Sequence, residues 1–362
     1  MTMGFWHDTR VLITGGASFI GSHLVDTLLT KGARVTVADD LSSGTIENLR
    51  HHALREGSVG SWHANCLVVH KGDLSDVDFV RHAMNDVEVV FHLAASHGGR
   101  GYIEQHPAEC CSNMILDQLV LRTCEEKGVE RFCFASSACV YPRNLQEATG
   151  STYLLREQDA DPFIQGRAFA DLEYGWAKFM GEMALSAYHR QYGMKTSAGR
   201  IFTAYGPREN ETHAIIALIA KAFVKCDPYP IWGTGEQDRN FTYVQDVVDG
   251  LIRVCETIED GAAVNIGRED RITINDAADM VFDIMGWRPR AIHHDLTKPV
   301  GVASRAADLN CARSVLGWEP RVSYREGFAK TIEWYVSTRD ARTVEKQLDR
   351  LLSERTASTR GA

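Results

Sequence analysis

Through the first half of the chain, short β-branched apolar runs alternate with segments of helical period. They read RVLITGG from Arg10, SHLVDTLLTKG from Ser22, ARVTVADD from Ala33, LVVHKGDL from Leu67, VDFVRHAMNDV from Val77 and EVVFHLAAS from Glu88. A continuous apolar run followed by a period near 3.6 predicts a strand and a crossover helix, and the repetition predicts βαβ units. Such units assemble into a parallel sheet covered by helices on both faces, with a ligand crevice at the carboxyl ends of the strands. Two longer helical stretches, 114–127 and 175–192, flank a further strand, RFCFASS, and a polar segment from Pro142 to Asp171. Both helices are candidate dimer faces.

After Ser197 the pattern loosens, with turn signals at YGPREN, CDPYP and WGTGEQ between helices such as HAIIALIAKAF and short strands such as AVNIG. The expected fold is α/β, a Rossmann-type doubly wound parallel sheet with a smaller C-terminal α/β substrate domain. Residues 1–197 form the first domain, 236–262 return to it, and 198–340 build mainly the second. The stretch 341–362 reads as a helix carrying Val344, Leu348, Leu351 and Leu352, then a frayed tail poor in apolar residues.

Composition narrows the function classes. The chain has 362 residues, 44% apolar and 24% charged, which suits two packed domains and excludes a disordered chain or a small disulfide scaffold. A formal charge of −9 offers no basic surface for a nucleic acid. Apolar runs fall short of the about 18 residues a membrane helix needs, and the start MTMGFWHDTRVLITGG has no signal-peptide core, so a soluble cytoplasmic protein is expected. The nine cysteines form no CxxC pair and are expected to be reduced thiols; no metal is expected.

The candidate chemistry begins at VLITGGASFIG, between the first predicted strand and helix. Gly15 and Gly21 let the backbone approach a pyrophosphate at the helix start formed by Ser18, Phe19 and Ile20. The second strand ends in Asp39, placed to accept hydrogen bonds from an adenosine ribose, and its charge repels a 2′-phosphate, so NAD is favoured over NADP. In GDL, Asp73 is a candidate adenine contact. Tyr174 and Lys178 stand four apart on one helix face. A phenol is a poor base at neutral pH, and a neighbouring ammonium stabilises its phenolate. Tyr174 can then take a hydroxyl proton while NAD oxidises the same carbon.

In the order TGGASFIG, ADDLSSG, GDL, FHLAAS, SSACVYP, YGWAK, YGPREN, WGTGEQDRNFTYVQDVVDG, VNIG and LGWEP, the chain resembles the extended short-chain dehydrogenases/reductases, the NAD-dependent nucleotide-sugar epimerases and dehydratases, from about Arg10 to Trp334. The family pattern TGxxGxxG has Ser18 at its middle glycine, where a side chain crowds the phosphate turn. The resemblance implies NAD contacts at Leu74 and Ala94, a substrate hydroxyl contact from Ser137, a nucleotide-diphosphate sugar as substrate, and a homodimer. The 4,6-dehydratases carry Asp and Glu after the catalytic hydroxyl; here these are Ala138 and Cys139, which disfavours a dehydratase.

SSACVYP also resembles the GDP-mannose 3,5-epimerases, whose catalytic cysteine falls at Cys139, and HGGRGY resembles their glycine-rich sugar loop, implying substrate contacts at Gly98, Gly99 and Arg100. The same comparison places Arg239 and Arg305 on the nucleotide diphosphate. The partner acid, a lysine in that family, has no clear equivalent here: counting back from the following helix meets His213, counting forward meets Thr212. Thr203 replaces an asparagine expected to touch substrate. The segment before Tyr174 is longer than the family pattern, with FIQGRAF inserted, so the substrate can differ in shape from GDP-mannose. The expected function is a 3,5-epimerase in which Tyr174 acts in oxidation at C4, Cys139 removes a proton at C3 or C5 and His213 returns one. The alternatives are a 4-epimerase of a UDP-hexose or UDP-hexuronate and, from another class, a non-catalytic NAD-sensing protein.

Overall fold

A computed structural model describes residues 4–58, 60–162 and 170–352. The chain opens with β1 (Arg10–Thr14), α1 (Phe19–Thr30), β2 (Arg34–Asp39), β3 (Arg55–Glu56), β4 (Ser61–Ala64) and β5 (Leu67–Lys71). There follow α2 (Val77–Ala83), β6 (Val89–His92), α3 (Arg100–Gln105), α4 (Pro107–Lys127), β7 (Arg131–Ser137), α5 (Leu172–Tyr192) and β8 (Lys195–Ile201). Next come β9 (Ala204–Tyr205), α6 (Ala214–Phe223), β10 (Tyr229–Trp232), β11 (Asp238–Arg239), β12 (Thr242–Tyr243), α7 (Val244–Thr257) and β13 (Asp260–Ile266). The last elements are β14 (Ile272–Thr273), α8 (Ile274–Met285), β15 (Ile292–Asp295), β16 (Ser304–Arg305), α9 (Tyr324–Thr338) and α10 (Ala341–Leu351).

The central sheet has nine strands in the order β13-β8-β7-β6-β1-β2-β5-β4-β3. From β13 to β5 every pairing is parallel; β4 and β3 add an antiparallel edge. The apolar strands are explained by burial on both faces. On one face Leu24, Val25 and Leu28 of α1 pack with Val247, Val248 and Leu251 of α7. On the other, Val80 of α2, Val120 and Leu121 of α4 and Leu185 of α5 close the core. Each such fully buried side chain contributes roughly 2 kcal/mol.

A second apolar cluster, with Ile215, Ile219, Phe282, Phe328 and Tyr335, joins α6, α8 and α9. The small sheets β10-β15 and β14-β11-β16 belong to this half of the chain. Of the segment expected to return to the main sheet, Asp238–Arg239 instead pairs with β14 and β16, whereas the returning strand extends to Ile266. Both long helices start earlier than their apolar pattern does, at Pro107 and Leu172. The expected frayed tail beyond Leu352 and the inserted FIQGRAF lie outside the described residues. Among the described residues no helix is long and apolar enough to cross a membrane.

Candidate active site

At the carboxyl end of β1 the chain makes the turn its glycines foreshadow. Gly15 takes φ +71°, and a Cβ on Gly21 would stand 2.1 Å from the Gly15 carbonyl oxygen, so a side chain there would force the turn open. Ser18 caps α1 with an extended backbone, and its hydroxyl lies 3.4 Å from that of Ser43. The buried Asp39 braces the loop: one carboxylate oxygen accepts the Ala17 amide and the other the Leu41 amide, both at 2.9 Å. Burial raises the Asp39 pKa, and those two amides counter it. Asp73 accepts the Ser75 amide at 2.8 Å. Compact glycine turn, open helix start and braced carboxylate fit a dinucleotide, with Gly15 to Gly21 on the pyrophosphate and Asp39 on the ribose.

One cavity of about 810 Å³ runs from this turn into the second half of the chain. Every candidate residue from the sequence borders it: the turn residues, Asp39, Asp73, Leu74 and Ala94 at one end; Ser137, Cys139, Tyr174 and Lys178 in the middle; Gly98, Gly99, Arg100, Thr203, His213, Arg239 and Arg305 beyond. Of the two alternatives in the loop before α6, His213 borders the cavity. Thr212 instead donates to Asn210 and accepts the Gly99 amide at 3.2 Å.

The ends of β7 and β8 are both held against α5 through the buried carboxylate of Glu182. Arg200 grips Glu182 with contacts of 2.9 and 2.7 Å, and Ser136 donates to the same carboxylate. The bidentate pair fixes β8 to α5, and the Ser136 bond to the same carboxylate ties the strand that carries Ser137 to the helix that carries Tyr174. Ser137 accepts the Cys139 amide at 3.1 Å, and the Cys139 carbonyl accepts the Asp171 amide at 2.8 Å. Burial pushes the Tyr174 phenol well above its ordinary value, and nearby Cys139 and Asp117 add to this, while the bond to Ser137 opposes it. Lys178 is buried with Nζ 4.4 Å from the Phe134 ring centre; burial lowers its pKa, and Asp117 and Glu182 oppose the fall. Below them Thr14, His92 and Asp117 are linked at 2.7 and 3.0 Å.

Side chains that the sequence pattern did not single out complete the far end. Asp171 accepts from Arg100 at 2.9 and 3.1 Å and from Arg305 at 3.2 Å. Burial works to raise its pKa, but Arg305 and Arg100 outweigh it and hold the carboxyl below the ordinary value. Arg305 also lies 3.6 Å from the Cys139 sulfur, and Gln146 accepts from its Nε at 2.5 Å. Arg239 donates to the Asp238, Val300 and Val302 carbonyls, so it shapes the wall as well as charging it. Burial, then Arg305, lower its pKa to about 10, still protonated at neutral pH. The His97 ring lies 4.9 Å from that of Tyr174 and 5.3 Å from that of His213. In the sequence Asp171 is marked only as the end of the polar segment from Pro142, and His97 only as the first position of HGGRGY.

Outside the cavity, Asp26, His51 and His52 bring three donor atoms within 4.8 Å of one another, but Asp26 is also paired with Arg208 at 2.9 Å.

A sheet crevice that sets a glycine turn and a buried aspartate beside a phenol and an ammonium is that of the extended short-chain dehydrogenases/reductases. The model of the NAD dependent epimerase/dehydratase family matches residues 11–267, and the chain belongs to that family. It is an NAD-dependent nucleotide-sugar epimerase, an isomerase. It is 30% identical over 330 residues to GDP-mannose 3,5-epimerase 1 of Oryza sativa subsp. indica, covering 90% of this chain and 81% of the relative. UDP-glucose 4-epimerase of Thermotoga maritima, solved with UDP-glucose, superposes with a TM-score of 0.77 at 28% identity, covering 91% and 99%. UDP-glucuronic acid 4-epimerase of Bacillus cereus, solved with UDP-glucuronic acid and NAD, gives 0.77 at 25% identity, covering 91% and 100%.

Proposed function

We propose that the chain inverts C3, C5 or both in a nucleoside-diphosphate hexose of the GDP-mannose type. The observation that carries this reading is the meeting of Cys139 and His213 in one cavity with Tyr174, each on a different element, with Arg305 3.6 Å from the cysteine sulfur. A 4-epimerase needs one phenol to remove and return a proton; here two further proton carriers border the same space.

Tyr174 takes the C4 hydroxyl proton, and Ser137 hydrogen-bonds the oxygen as it becomes a carbonyl. Lys178 supplies the positive charge that burial otherwise makes scarce at the phenol. Bound NAD would supply a reversible hydride acceptor at C4, so that the turnover leaves no net redox change. The ketone acidifies the adjacent carbons, Cys139 removes a proton from one of them, and Arg305 faces the sulfur as negative charge develops. His213 delivers a proton to the opposite face. Arg239, Arg305 and Arg100 hold the diphosphate end; with Asp171 subtracted they leave a net charge that two phosphate charges balance.

The same reading includes a homodimer through α4 and α5, on which Met114, Ile115, Trp176, Met180 and Met183 are exposed. It also places the enzyme in the cytoplasm, where nine free thiols stay reduced. The test is incubation with NAD and GDP-mannose, UDP-glucose or UDP-glucuronate in deuterated water, followed by NMR. Deuterium at C3 or C5, lost in Cys139→Ala, is expected; an epimerised product without deuterium makes the enzyme a 4-epimerase. Tyr174→Phe should abolish both outcomes.

A further inference from the structure

The loop from Gly206 to α6 carries a carboxylate whose placement the reaction scheme above leaves unexplained. Glu209 is 2% exposed, its Oε1 lies 3.3 Å from Nδ1 of His213, and its Oε2 is buried with no hydrogen-bond partner. The imidazole itself is 21% exposed and borders the cavity. A Cβ on Gly99 would stand 1.8 Å from the Thr212 carbonyl oxygen, so the glycine-rich segment before α3 and the loop before α6 touch backbone to backbone. That contact fixes the backbone that carries His213 against the wall of the cavity.

We propose that Glu209 is the positioning residue of His213, engaging Nδ1 so that Nε2 carries a hydrogen and faces the substrate. This rests on the reading of His213 as the acid that protonates the sugar carbanion. In the step, the Nε2–H bond breaks as a C–H bond forms at the inverted carbon, and the N–H electron pair remains on the ring. The proton that Cys139 removed leaves the thiol for water, and His213 takes another from water before the next turnover.

The surroundings explain why the two side chains act together. Glu211 lies on the same loop but is engaged by Tyr335 at 2.9 Å and lies 3.6 Å from Arg339. Arg208 is paired with Asp26, His97 enters from the segment after β6, and Tyr174 reaches from α5 by way of the His97 ring. Among the described residues the ionisable partner of the Glu209 carboxyl is His213, at 3.3 Å. Burial pushes Glu209 well above the ordinary carboxylate range, against the Gly206 amide. The pair shares one proton between Oε1 and Nδ1, and in either arrangement Nε2 keeps its hydrogen. With glutamine at position 209 the ring has no second site for that proton, so the pH dependence of donation reads the pairing.

The experiment compares wild type, Glu209→Gln, Glu209→Asp and His213→Asn, each with NAD and whichever of GDP-mannose, UDP-glucose and UDP-glucuronate the wild type exchanges. Deuterium entry and inversion at each carbon are followed across pH. His213→Asn should lose inversion at one carbon. Glu209→Gln should move the alkaline limb of that inversion toward acid by about one pH unit or more, with roughly tenfold loss near pH 8 and less near pH 6; Glu209→Asp should restore part of the shift. A uniform loss in Glu209→Gln with an unmoved limb overturns the positioning role while leaving His213 as the acid. Wild-type inversion in His213→Asn, or a wild type that exchanges none of the sugars, overturns the reading beneath it. If Glu209→Gln does not fold, an unmoved limb in Glu209→Asp overturns the proposal equally.

Discussion

His23 joins α1 to the loop before α6, and its protonation should loosen that contact. It lies on α1, and its Nε2 is 3.0 Å from the carbonyl of Pro207, so the neutral ring donates to the loop that carries Glu209 and His213. Burial, then Arg208, lower its pKa from 6.5 to about 4, with the Pro207 bond and Asp26 opposing and His51 reinforcing the fall. In the unfolded chain the same ring titrates near 6.5. Between those values the unfolded state binds more protons than the folded one, so stability falls as pH falls from 6.5 toward 4. At about 1.36 kcal/mol per pH unit the gap is worth about 3 kcal/mol. With roughly 2.1 cal/mol/K of unfolding entropy per residue, that is a Tm change of about 4 °C for a chain of this length. His23→Gln keeps a donor for Pro207 and removes the titration. Differential scanning calorimetry from pH 4 to pH 7 should show the wild type losing about 4 °C more than the variant. Parallel pH dependences in the two proteins would refute the reasoning.

Asp171→Asn leaves the Arg100 and Arg305 guanidiniums without their shared buried anion, which should cost roughly 3 kcal/mol in denaturant unfolding; added nucleoside diphosphate should recover part of it by replacing the charge. Asp39→Ala should weaken NAD more than NADP in calorimetric titration, because only NADP loses a repulsion as well as a hydrogen-bond acceptor. Equal loss of both would count against the ribose contact. Ile115→Glu combined with Met180→Glu should convert a dimer to a monomer in light scattering; an unchanged mass would move the interface elsewhere.

What could be read from the chain was set by how local each signal is. The parallel strands announced themselves because burial on both faces demands continuous apolar runs, and the phosphate turn because its close approach demands glycine. The edge strands Arg55–Glu56 and Ser61–Ala64 left no apolar alternation to find. The first turns of α4, PAECCS, also lack the period, although Pro107 at the helix start was a usable mark. Side chains on strand ends and helix starts, such as Ser137 and Tyr174, sit in motifs whose spacing is fixed by one element. Asp171 is different: its partners Arg100 and Arg305 are 71 and 134 residues away, and only the fold brings them to one carboxylate. The same holds for the loop before α6, where the sequence leaves His213 and Thr212 as alternatives and only the fold brings Thr212 to Gly99 and His213 to the cavity. On the proposed scheme the residues divide accordingly: those that would remove the C4 proton sit within single elements. Those proposed to act at C3 or C5 meet only through pairings between the sheet end and the loop before α6. Substitutions that retune specificity should accordingly fall on Asp171, His97 and Glu209 before they fall on Tyr174 or Lys178.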